Sequence, residues 1–199
     1  NLIGKSYEGE LPIDKIKVPE GFRVDVYAEN VENARSICLS PSGILYVGNR
    51  GGDKVLALQD LDGDGKAEKQ YELYTGGNMP NGVAYKDGDL YIAEVNHILK
   101  ISDVESKLDN PGTPEVIYNQ YPTDKHHGWK YIAFGPDGKL YVPIGAPCNI
   151  CDREENIYNT ITRMDPDGSN MEIVADGVRN SVGFNWHPDT KELWFTDNG

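Results

Sequence analysis

One short pattern, a tight turn followed by Leu, an aromatic residue and a further aliphatic or aromatic residue, occurs four times along the chain. Its aromatic positions are separated by 45, 50 and 53 residues, and they are Tyr46, Tyr91, Tyr141 and Trp194. Four-stranded propeller blades repeat with a period of about 40–50 residues. The sequence therefore predicts an all-β chain of β-propeller blades, each a four-stranded antiparallel sheet. A β-sandwich would share the strand density, but it would not explain this near-constant spacing.

Short segments rich in β-branched and aromatic residues, separated by Gly and Asp turns, supply the strands of each repeat. The strands expected in the first three blades are residues 35–39, 44–48, 55–59, 70–74, 82–85, 90–93, 98–101, 115–118, 131–134, 140–144, 161–164 and 172–175. Helical periodicity is nearly absent, and only residues 104–108 are expected to form a turn of helix.

The repeats also divide the chain. We expect residues 1–18 to be an N-terminal extension and residues 19–199 to be a partial propeller, with blades starting near residues 35, 81, 128 and 180. Residues 22–27 are typical of a lone strand, which in propellers often completes the last blade. The fourth blade stops after two strands. Because three and a half blades leave sheet edges open, the sequence predicts a fragment, a processed piece or half of an assembly.

The charge balance limits the partners. The chain has 19 Lys and Arg against 32 Asp and Glu, which gives a formal net charge of -13. Nucleic-acid binding needs a basic face, so we expect no nucleic-acid partner and no anionic membrane surface. No apolar run approaches the roughly 18 residues of a membrane span. The composition suits cation binding or a neutral substrate.

The start of the chain and its cysteines bear on the compartment. The chain begins at Asn1, which fits either a removed signal peptide or an arbitrary boundary. Cys148 and Cys151 form an isolated Cys-x-x-Cys pair, too few for a four-cysteine zinc site, and Asp152 excludes the c-type haem motif. We favour a local disulfide and a periplasmic or secreted protein, with a redox-active pair as the alternative.

Two pairs of polar residues occupy equivalent positions in successive repeats. His126 and His127 precede the leucine of the third repeat by 14 and 13 residues, and Arg179 and Asn180 precede that of the fourth by the same distances. Equivalent positions in neighbouring blades lie side by side around the propeller axis. An imidazole and a guanidinium are thus expected to face one pocket at the mouth of the channel, as a general base beside a fixed cation that stabilises negative charge. The alternative is that both pairs only hydrogen-bond loop carbonyls.

Residues 60–68 have the opening of a calcium loop, with acidic side chains at positions 1, 3, 5 and 9 and Gly at position 6. An EF-hand would have Glu at position 12, where Tyr71 stands, so we expect a hairpin-borne loop with a structural role. The alternative is a solvated acidic turn. The predicted metal-binding positions are Asp60, Asp62, Asp64, Lys66 and Glu68.

These features resemble the glucose/sorbosone dehydrogenase family, six-bladed propellers that use pyrroloquinoline quinone (PQQ), and within it the sorbosone-type branch. The similarity runs from about residue 19 to residue 199. The segments that carry it are residues 177–188 and 193–199, His127 ahead of residues 134–138, the 60–68 loop, and the loop of Cys148 and Cys151.

The resemblance implies a role for each residue. His127 matches the family's general base, which takes the substrate hydroxyl proton as hydride moves to the quinone. Arg179 matches the arginine that contacts PQQ, and Asn180 a neighbouring cofactor contact. A second calcium is expected just after residues 196–199. His126 and Val182 replace the Asp and Gln of the glucose-oxidising branch, so glucose is not the expected substrate.

Three functions are compatible with these residues. The first is a PQQ- and calcium-dependent dehydrogenase of sugars or related hydroxy and aldehyde compounds, passing electrons to a cytochrome or quinone. The second is a non-catalytic, calcium-stabilised propeller that binds a carbohydrate or a protein. The third, a metal-dependent lactone hydrolase, ranks last because the channel positions hold His, Arg and Asn instead of acidic ligands.

Overall fold

The computed structural model describes residues 11–151 and 157–199. Residues 1–10, most of the expected N-terminal extension, lie outside the described part of the chain, as does Asp152. Within the described residues, 14 strands form three four-stranded antiparallel sheets and one two-stranded hairpin. This confirms the predicted all-β fold and its four-stranded blades.

The three blades have the same up-and-down strand order. Blade one contains β1 (Ala34–Leu39), β2 (Leu45–Asn49), β3 (Val55–Gln59) and β4 (Lys69–Tyr74). Blade two contains β5 (Gly82–Lys86), β6 (Asp89–Ala93), β7 (Ile98–Ile101) and β8 (Glu115–Tyr118). Blade three contains β9 (Ala133–Phe134), β10 (Leu140–Ile144), β11 (Thr160–Met164) and β12 (Glu172–Asp176). The hairpin is β13 (Phe184–Trp186) and β14 (Leu193–Phe195).

Each expected strand of the three blades is present, with its ends within two residues of the expected ones. The expected helical turn is a 3-10 helix at Val104–Lys107, and a second 3-10 helix spans Ile13–Lys15. Among the described residues, no helix has the length and apolar character needed to cross a membrane. The first strands of adjacent blades lie side by side, β1 against β5 and β5 against β9, as the spokes of a propeller do.

The lone strand expected at residues 22–27 is wrong. Residues 22–27 form no strand. Two carbonyl groups in and just after this segment accept hydrogen bonds from blade one, one from the β3–β4 loop and one from β4. The N–H of Ala67 donates to the carbonyl of Tyr27 at 2.8 Å, and the side-chain amide of Gln70 donates to the carbonyl of Glu29 at 2.9 Å. A strand needs a ladder of such bonds, which two contacts do not supply.

The aromatic residue of each of the first three repeats packs against the first strand of the following unit. The pairs and their ring-centroid distances are Tyr46–Tyr85 at 5.8 Å, Tyr91–Phe134 at 4.9 Å and Tyr141–Trp186 at 4.9 Å. Such pairs contribute about 0.5–1.5 kcal/mol each beyond the area they bury. The repeat is therefore the means by which one blade joins the next, and it aligns the loops at one end of the blades.

Candidate functional site

A cavity of about 530 Å³ lies where the loops of successive blades meet, within the roughly 300–1,000 Å³ usual for ligand pockets. No acidic side chain is among the described residues that line it, although the whole chain carries a net charge of -13. The lining residues are Arg35, Arg50, Met79, Lys125, His126, His127, Trp129, Asn180, Val182 and Asn198. The cavity is thus a local cationic site in an acidic protein.

His127 lines this cavity in a defined tautomer. Its Nδ1 lies 2.9 Å from the carbonyl oxygen of Ala146. A carbonyl only accepts, so Nδ1 must carry the hydrogen and Nε2 of the neutral ring keeps a free lone pair. This is the form that a general base requires.

Burial is the main reason that the pKa of His127 is lowered from its ordinary value, because a charged ring loses hydration there. The Ala146 carbonyl opposes this shift by favouring the charged ring, and the nearby His126 and Arg179 lower the pKa further. The imidazole is therefore neutral, and able to accept a proton, at neutral pH.

The residues after β10 fix this geometry. A Cβ on Gly145 would lie 2.7 Å from the Cβ of His127 and 3.2 Å from the Oδ1 of Asn180, closer than side chains pack. The next residue, Ala146, accepts from His127 and also donates its N–H to the carbonyl of Arg179 at 2.8 Å. Neither residue is among the site residues predicted from the sequence. The only available signal was a glycine placed directly after a buried strand.

Arg179 and Asn180 lie beside the histidine pair, as the repeat positions predict. Asn149 joins the two, because its Oδ1 lies 3.1 Å from the Nε2 of His126 and accepts from the Nη2 of Arg179 at 3.2 Å. The backbone N–H groups of Arg179 and Asn180 both donate to the carboxylate of Asp197, at 3.2 and 2.7 Å.

The two residues differ in what they face. Asn180 lines the cavity with His127. The expectation that the guanidinium of Arg179 faces the same pocket is wrong for the described residues, because the half-buried side chain points at the carbonyls of Asn149 and Asn198 instead. Within the described chain, its side chain has no carboxylate partner. The charge of Arg179 therefore stays available beside the cavity.

Cys148 and Cys151 are joined by a disulfide, with their Cα atoms 5.9 Å apart. The bridge closes the short loop that carries Asn149. Cys38 is a free, half-buried thiol whose pKa is raised mainly by burial. The disulfide between Cys148 and Cys151 thus restrains Asn149, the residue that links His126 to Arg179.

A buried lysine holds the loop that follows His127. The amine of Lys130 is enclosed, donates to the carbonyl of Gly128 at 2.9 Å and lies 5.5 Å from the ring centre of Tyr121. Burial lowers its pKa to about 7. The bond from Lys130 to Gly128 adds a restraint directly beside the candidate base.

The 60–68 loop joins β3 to β4, at the edge of blade one away from the strand β1 that carries Arg35. Ligand oxygens of four acidic residues converge to within 4.8 Å of one another, and these residues are Asp60, Asp62, Asp64 and Glu68. Lys66 lies between Asp64 and Glu68 in this loop, and its backbone N–H donates to the Oδ1 of Asp64 at 2.9 Å.

The loop is held in this shape by its own backbone. The two carboxylate oxygens of Asp60 accept the N–H groups of Gly63 and Gly65 at 2.7 and 2.9 Å. Gly65 has a φ of +89°, which a residue with a side chain adopts only with strain. An all-oxygen cluster of this kind suits a hard cation such as Ca²⁺.

A family model described as a domain of unknown function, DUF7133, matches residues 9–199. The chain belongs to this family. An uncharacterized protein of Borreliella burgdorferi is 29% identical to this DUF7133 chain in an alignment of 197 positions that covers 92% of this chain and 49% of that protein. The chain thus spans about half the length of the curated relative it matches.

Solved structures with the same fold include the PQQ-bound aldose sugar dehydrogenase of Streptomyces coelicolor. It is 21% identical to this chain with a TM-score of 0.67, and the match covers 87% of this chain and 59% of that one. The holo PQQ domain of Coprinopsis cinerea pyranose dehydrogenase has 17% identity, a TM-score of 0.72, and coverage of 85% and 45%. The calcium-binding regucalcin of Agrobacterium tumefaciens has 15% identity, a TM-score of 0.60, and coverage of 82% and 52%. These similarities establish a partial β-propeller for the DUF7133 chain.

Proposed function

We propose that the protein is a PQQ-dependent oxidoreductase that oxidises sugars or related hydroxy and aldehyde compounds. The observation that carries this proposal is His127, a neutral imidazole with a free Nε2 in a cavity whose described lining residues include no acidic side chain. The similarity of the chain's fold to PQQ-containing sugar dehydrogenases supports the proposal.

The cavity suits the cofactor in charge. PQQ is an anion, and cationic side chains line the cavity without a described acidic residue among them. Asn180 would contact the cofactor inside the cavity, and Arg179 would place its charge alongside. PQQ, when bound, accepts hydride from the carbon atom that is oxidised.

His127 supplies the proton transfer that must accompany this oxidation. The substrate hydroxyl donates its proton to Nε2, and the imidazolium that forms keeps its Nδ1–H bond to Ala146. The positive charge of Arg179 favours the negative charge that develops beside the ring. A general base of this kind contributes about 10²–10⁴-fold to rate.

The proposal extends to the substrate, the calcium site, the location and the electron acceptor. The histidine at position 126 and Val182, which lines the cavity, favour a sorbosone-type substrate over glucose. Calcium binds the loop of Asp60, Asp62 and Asp64 and stabilises blade one. The disulfide favours a periplasmic or secreted location, and a cytochrome or quinone takes the electrons.

The test is dye-linked oxidation by the full-length protein, with PQQ and Ca²⁺ added, across a panel of neutral sugars, aldehydes and sugar acids. We expect PQQ-dependent turnover that falls about 10²–10⁴-fold in His127→Ala. His187→Ala, which changes a half-buried histidine outside the cavity lining, is the matched control and should keep its activity. Absence of PQQ-dependent oxidation over the whole panel would refute the proposal.

The acidic loop favours a second candidate, a calcium-stabilised propeller that binds a carbohydrate or a protein without catalysis. The similarity of the chain's fold to the calcium-binding regucalcin supports this alternative. It would give calcium-dependent melting with no change in PQQ absorbance on mixing. A metal-dependent lactone hydrolase stays the weakest candidate, because the described cavity lining offers no carboxylate ligand.

A further inference from the structure

Two arginines share one aromatic ring at the wall of the cavity. The guanidinium carbons of Arg35 and Arg50 lie 5.0 and 4.7 Å from the ring centre of Trp129, whose side chain is buried. The two charges are therefore less than about 10 Å apart, and both arginines are exposed at the cavity wall.

The backbone directs both arginines to this place. Ala34 pairs with Asn49 and Ser36 pairs with Gly48, so Arg35 is the extra residue of a β-bulge in β1. Bulges turn a side chain out of the regular alternation of a strand, often next to a functional site.

Arg50 is fixed by the residue before it. The side chain of Asn49 is buried, donates to the carbonyl of Glu32 at 2.7 Å and accepts the N–H of Gly52. These two bonds close a tight turn around Arg50. The backbone position of Arg50 is therefore set by the side chain of Asn49.

Neither guanidinium has an ion pair or a hydrogen bond among the described residues, even though acidic residues outnumber basic ones in this chain. Arg163 shows the usual arrangement, with Asp137 at 2.9 Å and Glu172 at 2.8 Å. The donors of Arg35 and Arg50 are thus left for a ligand, and the planar guanidinium fork matches a carboxylate.

We propose that Arg35 and Arg50 bind a carboxylate of the ligand that enters the His127 cavity. The carboxylate belongs either to an acidic sugar, such as a uronic acid, or to PQQ itself. With the sugar acid as the source, the inference rests on the proposed function and narrows its substrate class. The binding itself needs no reaction, so it is measured separately.

The experiment is isothermal titration of the protein with glucuronate, with glucose and with PQQ. Glucuronate should bind at least about tenfold more tightly than glucose, since charge-assisted hydrogen bonds are the stronger ones. Arg35→Gln and Arg50→Gln should each weaken glucuronate binding about tenfold and leave glucose unaffected. The Lys variants at both positions, which keep the charge, should retain part of the affinity.

Arg23→Gln is the matched control, because Arg23 is exposed, pairs with Asp25 and lies outside the cavity lining. Thermal melting of every variant separates lost binding from lost folding. If PQQ binding depends on the arginines and glucuronate binding does not, the cofactor supplies the carboxylate. If neither ligand depends on them in folded variants, the inference is overturned.

The two proposals fail in different ways. PQQ-dependent turnover in Arg35→Gln and Arg50→Gln, with glucuronate and PQQ both bound as tightly as by the wild type, would remove the carboxylate site and keep the oxidoreductase. Arginine-dependent glucuronate binding without any PQQ-dependent oxidation would do the reverse.

Discussion

Gly145 and His127 lie in such close contact that a Cβ added to Gly145 would be 2.7 Å from the His127 Cβ and 2.9 Å from its carbonyl oxygen. The position of the candidate base therefore depends on the absence of a side chain at the end of β10. Because Ala146 follows directly and accepts from Nδ1, one short segment sets both the location and the tautomer of the ring.

Gly145→Ala should displace His127 and reduce activity. A displacement of about 1 Å costs on the order of 10²-fold in rate, and overpacking costs about 1–3 kcal/mol of stability. The measurements are PQQ-dependent kcat/KM and the melting temperature. Gly183→Ala is the control, because a Cβ there meets no atom within 4 Å. Activity within twofold of wild type in Gly145→Ala would contradict the assigned geometry.

The pH dependence of activity follows from the lowered pKa of His127. Protonation occupies Nε2, so kcat/KM should fall as the pH drops through an apparent pKa below the ordinary value of about 6.5. Arg179→Gln should raise that pKa, because a neighbouring positive charge is removed. The check is a pH profile together with NMR titration of the ring. An acid limb above pH 6.5 would show that the ring is not desolvated.

The same shift affects stability. Between the folded and unfolded pKa values the unfolded chain binds more protons at this residue, so its contribution to stability rises with pH. It is lost as the pH falls below about 6.5, the unfolded value. In a plot of melting temperature against pH, His127→Gln should reduce the slope below about pH 6.5. An unchanged slope in that range would contradict the lowered pKa of His127.

The repeat made the fold predictable because the aromatic residue of each of its first three copies joins one blade to the next unit. Tyr46 and Tyr91 pack on the first strand of the next blade, so their spacing reports the length of a blade. The same register placed His127 next to Arg179. These features are periodic, and periodicity is visible in a sequence.

The rest of the site depends on contacts between distant segments. Gly145 looks like any glycine until the structure brings residue 127 against it. Arg35 reads as an ordinary strand residue, and only the bulge in β1 turns it to Trp129. Residues 22–27 have β-prone composition, but no strand edge is aligned with them in the described chain. Pairing, unlike propensity, is not encoded locally.

Calcium should stabilise the protein through the acidic loop. Bringing four carboxylates within 4.8 Å is unfavourable without a cation, and a ligand at 100 times its Kd adds about 2.7 kcal/mol. The melting temperature should therefore rise with Ca²⁺ and fall with EDTA, and Asp62→Asn or Asp64→Asn should remove most of the response. Asp109→Asn, at an exposed position outside the cluster, is the control. Equal calcium responses in all variants would place the cation elsewhere.

Reduction of the disulfide should affect the site more than the fold. A bridge between Cys148 and Cys151 closes a very short loop, for which chain entropy gives only about 2 kcal/mol. The same loop presents the Asn149 oxygens to His126 and Arg179. We therefore expect a reductant to weaken PQQ binding several-fold, with a melting-temperature decrease of only about 4–8 °C.

The double variant Cys148→Ser/Cys151→Ser distinguishes this effect from a general action of the reductant. It should show the weakened PQQ binding from the start and respond no further to reductant, and Cys38→Ser should behave like wild type because Cys38 is a free thiol. PQQ binding that is equally tight with and without the bridge would mean that Asn149 is held by its hydrogen bonds alone. In that case Asn149→Ala, which removes the shared acceptor, should still weaken binding.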